Sequence, residues 1–331
     1  MQLWTVNLKK PDWQDAPEAP DVCAALTAGE LVAVPTETVY GLAADATNGV
    51  ACAKIFEAKG RPQFNPLISH VPSLEDARLH GRFDALALRL AEAFWPGPLT
   101  LVVPKTEGSP ISDMATAGLM TVALRVPAGP VMRFLADRTG KPLAAPSANL
   151  SGRISPTRAQ DVIDDLGEAL SFVVDAGPCR VGIESTIVGI VDGSPRLLRP
   201  GGISREEIED ALGTSLLAAA PGMRPDAPAA PGMLASHYAP NASMVLNARE
   251  VTQDDALLSF GPERIQGAEH ARMEFNLSPE GDLAEAAANL FQGMRTLDAS
   301  MARTIRVQFI PSFGLGEAIN DRLKRAAAPR P

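Results

Sequence analysis

The 331-residue sequence predicts an α/β protein: a large domain built on a twisted sheet with flanking helices, a proline-rich connector, and a second, smaller α/β unit. Three observations carry this. Short apolar runs of strand length alternate with segments of helical period over the first two hundred residues. Residues 218–232 then hold proline and glycine too often for a helix or a central strand, which keeps that stretch extended and semi-rigid. Beyond it, strand and helix patterns resume.

In the large domain, residues 31–34, 67–71, 99–103, 122–126, 172–174 and 187–191 are apolar runs of four or five residues or fewer and read as buried strands. Residues 50–58, 85–94, 130–138 and 157–166 have helical spacing. The last has Ser155 or Thr157 near its N-cap and Asp161 in its first turns. After the connector, residues 244–246, 256–260 and 304–309 read as strands, and 282–301 and 316–327 as helices. The expected partition is 1–215, a linker at 216–240, and 241–331.

Composition bounds the function. A hydrophobic fraction of 46% supplies a core. The net charge of −9 is spread, with 18 basic against 22 acidic residues before position 201 and 12 against 17 after it. A long polyanion such as RNA needs a basic face, so tRNA binding is expected to be weak or absent. Cys23, Cys52 and Cys179 form no C-x-x-C pair, which speaks against a zinc site and fits a reducing compartment. With no apolar run near the ~18 residues a bilayer span requires, the expected location is the cytoplasm, away from membranes.

The chemistry-bearing residues gather in a few stretches. In Pro35–Asp45, Thr36, Thr38 and Tyr40 follow a buried run at period two, so their hydroxyls point to one side if the strand continues past Pro35. Lys59-Gly60 alone reads as an ordinary helix terminus. Arg61 changes that, because Pro62 forces it out of helical geometry and a rigid guanidinium at a loop mouth suits phosphate. Ser147, in a Pro-Ser-Ala-Asn loop, has no G-x-S-x-G elbow around it, leaving two readings, a hydrogen-bond donor or a structural turn. Residues 177–182 have the glycine spacing of a phosphate loop, but Ile183-Glu184 stands where Lys and Ser or Thr belong, and Gly314-Leu-Gly316 lacks the third glycine of a dinucleotide fingerprint. Arg125 is a charge inside a buried run and requires a partner or an anionic ligand.

These stretches, taken in order, resemble the Sua5/YrdC/YciO family in its long, Sua5 form. The matching segments are PTETVYGLAADA from Pro35, KGRP from Lys59, NPLISHV from Asn65, WPGPLTLV from Trp95, TVALRVP from Thr121, AAPSANLSGRISPT from Ala144, GIESTIV from Gly182 and LLRPGGIS from Leu197. APGMLASHYAP from Ala230 resembles the Sua5 linker, and GLGEAINDRLKRAA from Gly314 the end of the Sua5 domain.

The resemblance implies a YrdC-like twisted mixed sheet followed by a Rossmann-like C-terminal domain. It also implies joining L-threonine, bicarbonate or CO2 and ATP into threonylcarbamoyl-AMP, with pyrophosphate released, to supply the t6A modification of tRNA through a downstream transferase. Thr38, His70, Arg125, Ala145 and Ser185 match the threonine site. Lys59, Arg61, Asn65, Thr121, Ser147, Asn149, Ser155 and Arg199 match the nucleotide site, Lys59 and Arg61 being the catalytic charges, and Tyr238 of the linker would close over it. Magnesium is expected, held mainly through the ATP phosphates. Against this stand an RNA-binding factor without catalysis, disfavoured by the charge, and a carbamoyl-transfer enzyme of the hydrogenase-maturation type, disfavoured by the lack of paired zinc-finger cysteines. A hydrolase would need the missing nucleophile elbow.

Overall fold

The computed structural model describes residues 1–62, 64–218 and 237–329; most of the connector therefore lies outside the described residues. Eleven strands form one mixed sheet: β1 (Gln2–Thr5), β2 (Val32–Pro35), β3 (Tyr40–Asp45), β4 (Ile68–His70), β5 (Leu99–Pro104), β6 (Thr121–Arg125), β7 (Leu143–Ala144), β8 (Phe172–Asp175), β9 (Thr186–Ile190), β10 (Pro195–Arg199) and β11 (Leu217–Ala218). Their spatial order is β1-β8-β2-β3-β7-β4-β6-β5-β9-β10-β11. The helices packed with it are α1 (Glu18–Thr27), α2 (Gly49–Lys59), α3 (Leu74–His80), α4 (Ala85–Phe94), α5 (Asp113–Thr116), α6 (Pro130–Thr139), α7 (Ala159–Leu166) and α8 (Arg205–Leu212).

Period-two alternation sets the layers. Along β2, Val32 and Val34 join the apolar cluster around Trp4, Val22 and Leu135, whereas Leu31 and Ala33 join the larger cluster around Leu42, Ile55 and Leu101. The sheet is thus covered on both faces, as its near-continuous apolar strands require. Helix α2 begins where the Asn48 side chain accepts the N–H groups of Val50 and Ala51 and ends at Gly60 in the left-handed region.

Two local expectations are corrected. The strand does not continue past Pro35: residues 36–39 turn, and β3 returns antiparallel with Tyr40 opposite Pro35. Thr36 and Thr38 therefore share the turn, while the Tyr40 ring is buried in the core and its hydroxyl donates to the Gly177 carbonyl at 2.8 Å, away from any ligand. Helix α7 is capped by neither Ser155 nor Thr157. Its N-cap is Arg158, and the Asp161 carboxylate accepts the Thr157 and Arg158 N–H groups at 3.0 and 3.1 Å.

The second sheet is parallel throughout: β12 (Ser243–Val245), β13 (Asp255–Ser259), β14 (Met273–Asn276) and β15 (Thr304–Val307), in the order β12-β15-β13-β14, with α9 (Leu283–Ala299) against it and α10 (Leu315–Ala326) packed on α9. Its apolar core is shared with the large domain, because Val39, Ile154 and Ile183 pack into the same cluster as Phe291, Ile305 and Ile319. Gly182, at φ +74°, permits this approach. A Cβ there would lie 2.4 Å from both Cα and O of Ala288 on α9.

Candidate active site

The site forms where strands end. Strands β4 and β6 run parallel, so His70 and Arg125 finish side by side in register. The β2–β3 turn supplies Thr36 and Thr38, the segment after β7 supplies Ala145 and Ser147, and Ser185 and Arg199 stand at the β9 and β10 ends. One cavity is lined by these residues together with Arg61, Glu184, His237 and Tyr238. Strand ends are where a sheet exposes polar groups without breaking its own ladder, which is why ligands gather there.

Arg125 is 3% exposed and held on three sides. It donates from Nη2 to Glu37 Oε1 at 2.6 Å, from Nη1 to Thr38 Oγ1 at 3.0 Å, and from Nε to the Gly97 carbonyl at 3.2 Å. The direction of the hydroxyl chain follows. Thr36 spends its proton on the Val39 carbonyl at 2.7 Å, so the 2.8 Å contact between the two threonines has Thr38 as donor. Arg199 donates to the Ser185 carbonyl from Nη2 at 2.8 Å and also reaches Ser185 Oγ at 3.2 Å. Arg61 bends back onto the carbonyls of Asn65 and Pro66 at 3.4 and 3.2 Å.

Burial and this crowding of cations set the protonation states. Burial first, and then the Arg125 charge, drive the His70 pKa down to about 3; burial with Arg61, Lys59 and Arg199 does the same to His237. Both imidazoles are neutral at pH 7. His70 Nδ1 faces the Leu143 carbonyl at 3.4 Å, an acceptor only, so the proton sits on Nδ1 and Nε2 keeps its lone pair. Burial raises the Glu37 carboxyl, but Arg125 and the Ala128 and Gly129 N–H groups outweigh it and leave the pKa below the usual value. Glu184 behaves alike: against burial, Arg322, Arg199 and the Ser155 hydroxyl bring it to about 2. Arg61 and Arg199 are lowered to about 10 by burial, with each guanidinium also feeling another nearby, and they stay charged.

Of the residues expected from sequence, Thr38, Arg61, His70, Arg125, Ala145, Ser147, Ser185, Arg199 and Tyr238 line the cavity, and Lys59, Asn65, Thr121, Asn149 and Ser155 do not. Lys59 donates from Nζ to the Ser147 carbonyl at 2.5 Å and to the Asn149 carbonyl, pinning the serine loop from behind; burial first, and then Arg61, hold its pKa well below the usual lysine value. Asn149 in turn donates to the carbonyls of Leu150 and Arg153. Ser155 donates to Glu184 Oε1 at 2.6 Å. Asn65 is fully buried, with neither amide atom partnered among the described residues, and Thr121 is half-buried at the start of β6.

Three functional side chains went unread in the sequence: Glu37, Glu184 and Arg322. Arg322 carried a usable signal, since it lies on α10 among Ile319, Leu323 and Ala326, on the stripe that faces the core. Among the described residues, no cluster of three or more His, Cys, Asp or Glu side chains is placed to hold a metal ion, and no helix is long and apolar enough to cross a membrane.

Buried guanidiniums, ordered hydroxyls and neutral imidazoles thus line one cavity at the ends of a mixed sheet, a setting suited to small anions. The Sua5/YciO/YrdC family model, described as "Telomere recombination", matches residues 24–201, and the model described as "Threonylcarbamoyl-AMP synthase, C-terminal domain" matches 203–328. The threonylcarbamoyl-AMP synthase of Bacillus subtilis (strain 168) is 37% identical over 350 residues, covering 99% of this chain and 98% of the relative. That of Pyrococcus abyssi (strain GE5 / Orsay) is 40% identical over 316 residues, covering 91% and 92%. The crystal structure of P. abyssi Sua5 complexed with L-threonine superposes with a TM-score of 0.89 at 35% identity, over 99% of this chain and 98% of that one. This chain belongs to the Sua5/YciO/YrdC family, in the long form that carries the Sua5 C-terminal domain.

Proposed function

We propose that this chain is a threonylcarbamoyl-AMP synthase, which joins L-threonine, bicarbonate and ATP into threonylcarbamoyl-AMP and pyrophosphate. The observation that carries the reading is the convergence of Arg61, Arg125 and Arg199 on one cavity that also presents Thr38, Ser147 and Ser185. Its relatives bear that enzyme's name over nearly their whole length.

The threonine carboxylate is an anion suited to Arg125, whose planar fork is already oriented by Glu37 and Thr38. Beside it, neutral His70 offers a lone pair to the threonine hydroxyl or ammonium. The ammonium passes a proton to bicarbonate, whose C–O bond breaks to give CO2 and water; the free amine then attacks the carbon of CO2, forming an N–C bond, and loses a second proton to solvent to leave a carbamate. A carbamate oxygen then attacks the α-phosphorus of ATP; a P–O bond forms as the bond to pyrophosphate breaks. Such a reaction asks chiefly for alignment and charge neutralisation. Arg61, Arg199 and Ser147 face the phosphates in this arrangement, and Lys59 holds the loop that presents Ser147. Tyr238 covers the cavity and keeps water from the labile carbamate.

Magnesium would enter with the nucleotide. The nearby carboxylates are committed, Glu37 to Arg125 and Gly129 and Glu184 to Ser155 and Arg322, which fits a metal held by phosphate oxygens. When bound, it would supply further neutralisation of charge on the leaving pyrophosphate. The product would supply the tRNA t6A modification through a downstream transferase in the cytoplasm, with weak or no direct tRNA binding expected at a net charge of −9. The test is pyrophosphate release from ATP: it should require both threonine and bicarbonate, and release that stays at background with both present overturns the reading.

A further inference from the structure

Helix α10, from the far end of the chain, delivers Arg322 to the back of the site. The side chain is fully buried. It donates from Nε to Glu184 Oε2 at 2.9 Å and from Nη1 to the Pro200 carbonyl at 2.7 Å and to Asp321 Oδ2 at 3.0 Å. Its guanidinium carbon lies 5.5 Å from the centroid of the Tyr238 ring. That ring is stacked on Phe291 of α9 at 5.5 Å and meets His237 at 4.1 Å. Glu184 and Tyr238 line the cavity; Arg322 does not.

A carboxylate in the wall of a polyphosphate site opposes the nucleotide unless a cation neutralises it, and in a low-dielectric interior that opposition is large. Arg322 supplies the cation. The same guanidinium packs against Tyr238, which takes a left-handed backbone at φ +63° and so needs its surroundings to hold it there. The first contact crosses from the C-terminal domain to the catalytic one and the second reaches the linker, while Gly182 against α9 fixes the distance between the two domains.

We propose that Arg322 is a positioning residue of this active site: by neutralising Glu184 and anchoring Tyr238 it makes the C-terminal domain a working wall of the ATP subsite. This rests on the reaction proposed above.

The experiment uses the full chain. KM for ATP, KM for threonine, kcat for pyrophosphate release and the melting curve are measured for Arg322→Lys, Arg322→Met and the double variant Arg322→Met/Glu184→Gln. Positioning predicts that Arg322→Met raises KM for ATP at least tenfold and KM for threonine less than threefold, because the Arg125 contacts are untouched. Arg322→Lys keeps the charge and recovers part of the loss. The double variant leaves no unpaired carboxylate, so it should melt near the parent and bind ATP within threefold of it, yet lose at least fivefold in kcat because Tyr238 has lost its anchor.

Parent values of KM and kcat in a folded Arg322→Met overturn the proposal, as do equal losses for both substrates that track the melting temperature. Should Arg322→Met fail to fold, parent kcat in the double variant overturns it. If the parent chain releases no pyrophosphate, the proposed reaction fails by itself, and Arg322 is judged by the calorimetric Kd for magnesium-ATP, where at least a tenfold weakening in Arg322→Met is expected and an unchanged value, or no binding to the parent, overturns its role.

Discussion

Arg125 Nη2 lies 2.6 Å from Glu37 Oε1, with the two side chains 4% and 5% exposed, and the other Glu37 oxygen accepts the Gly129 N–H at 3.0 Å. The β2–β3 turn and the start of α6 thus grip one guanidinium together. Removing either partner of a buried pair strands a charge, at a cost of ~3–5 kcal/mol. Arg125→Met should weaken threonine binding at least a hundredfold, and Arg125→Lys at least tenfold, since an ammonium cannot match the three-sided fork. Titration calorimetry decides; an unchanged threonine Kd in Arg125→Lys would mean that guanidinium geometry is not used.

Acid should destabilise the fold from an unusually high pH. His70 and His237 sit at about 3 in the folded chain against 6.5 when free, so below pH 6.5 the unfolded chain takes up protons that the folded one refuses. Stability is full above that value and falls as pH drops, by ~1.4 kcal/mol per pH unit for each histidine, until pH nears 3. Glu184, at about 2 against 4.5, adds a loss of the same sign below pH 4.5. Urea unfolding at pH 7, 6 and 5 should show the slope, and His237→Gln should reduce it. Equal stability at pH 7 and 5 would contradict neutral imidazoles.

Gly182→Ala tests the docking of α9. The backbone is left-handed, and the new Cβ would press into the Ala288 backbone, which cannot yield as a side-chain tip can. A loss of at least ~2 kcal/mol is expected, with faster proteolysis between the domains. Gly193→Ala, at φ +75° with nothing within 4 Å of the added atom, serves as the control and should lose only about 1 kcal/mol. Equal losses for the two variants would show that the helix contact contributes nothing.

Arg61 and Lys59 should separate by readout. Arg61→Ala is expected to raise the Kd for ATP at least tenfold and to leave that for threonine within twofold. Lys59→Met should weaken ATP binding and also lower the melting temperature, because the Ser147 and Asn149 carbonyls lose a buried Nζ donor. An unchanged ATP Kd in Arg61→Ala removes it from the nucleotide site.

The strands that carry Arg125 and His70 were legible because buried runs of Val, Leu and Ile have few alternatives, and the charge of Arg125 inside one stands out, whereas the role of His70 came only with the resemblance. The β2–β3 hairpin was not. Thr36, Thr38 and Tyr40 have the period and the propensity of a continuing strand, and only pairing with the returning chain decides for a turn. Lys59 looked like a helix cap joined to a phosphate ligand, and its partners are carbonyls 88 and 90 residues away. Glu184 and Arg322 are 138 residues apart, and no local pattern connects them.

That separation has a consequence for synthesis of the protein. Every strand-end residue of the cavity except those of the connector is translated before residue 200, yet Glu184 meets its counter-charge only when α10 has left the ribosome. A chain stopped between the two would leave Glu184 with Ser155 and Arg199 nearby but without the guanidinium that pairs with it directly. If Arg322 positions the site as proposed, the wall of the cavity is complete only when the last helix of the chain has been made and docked.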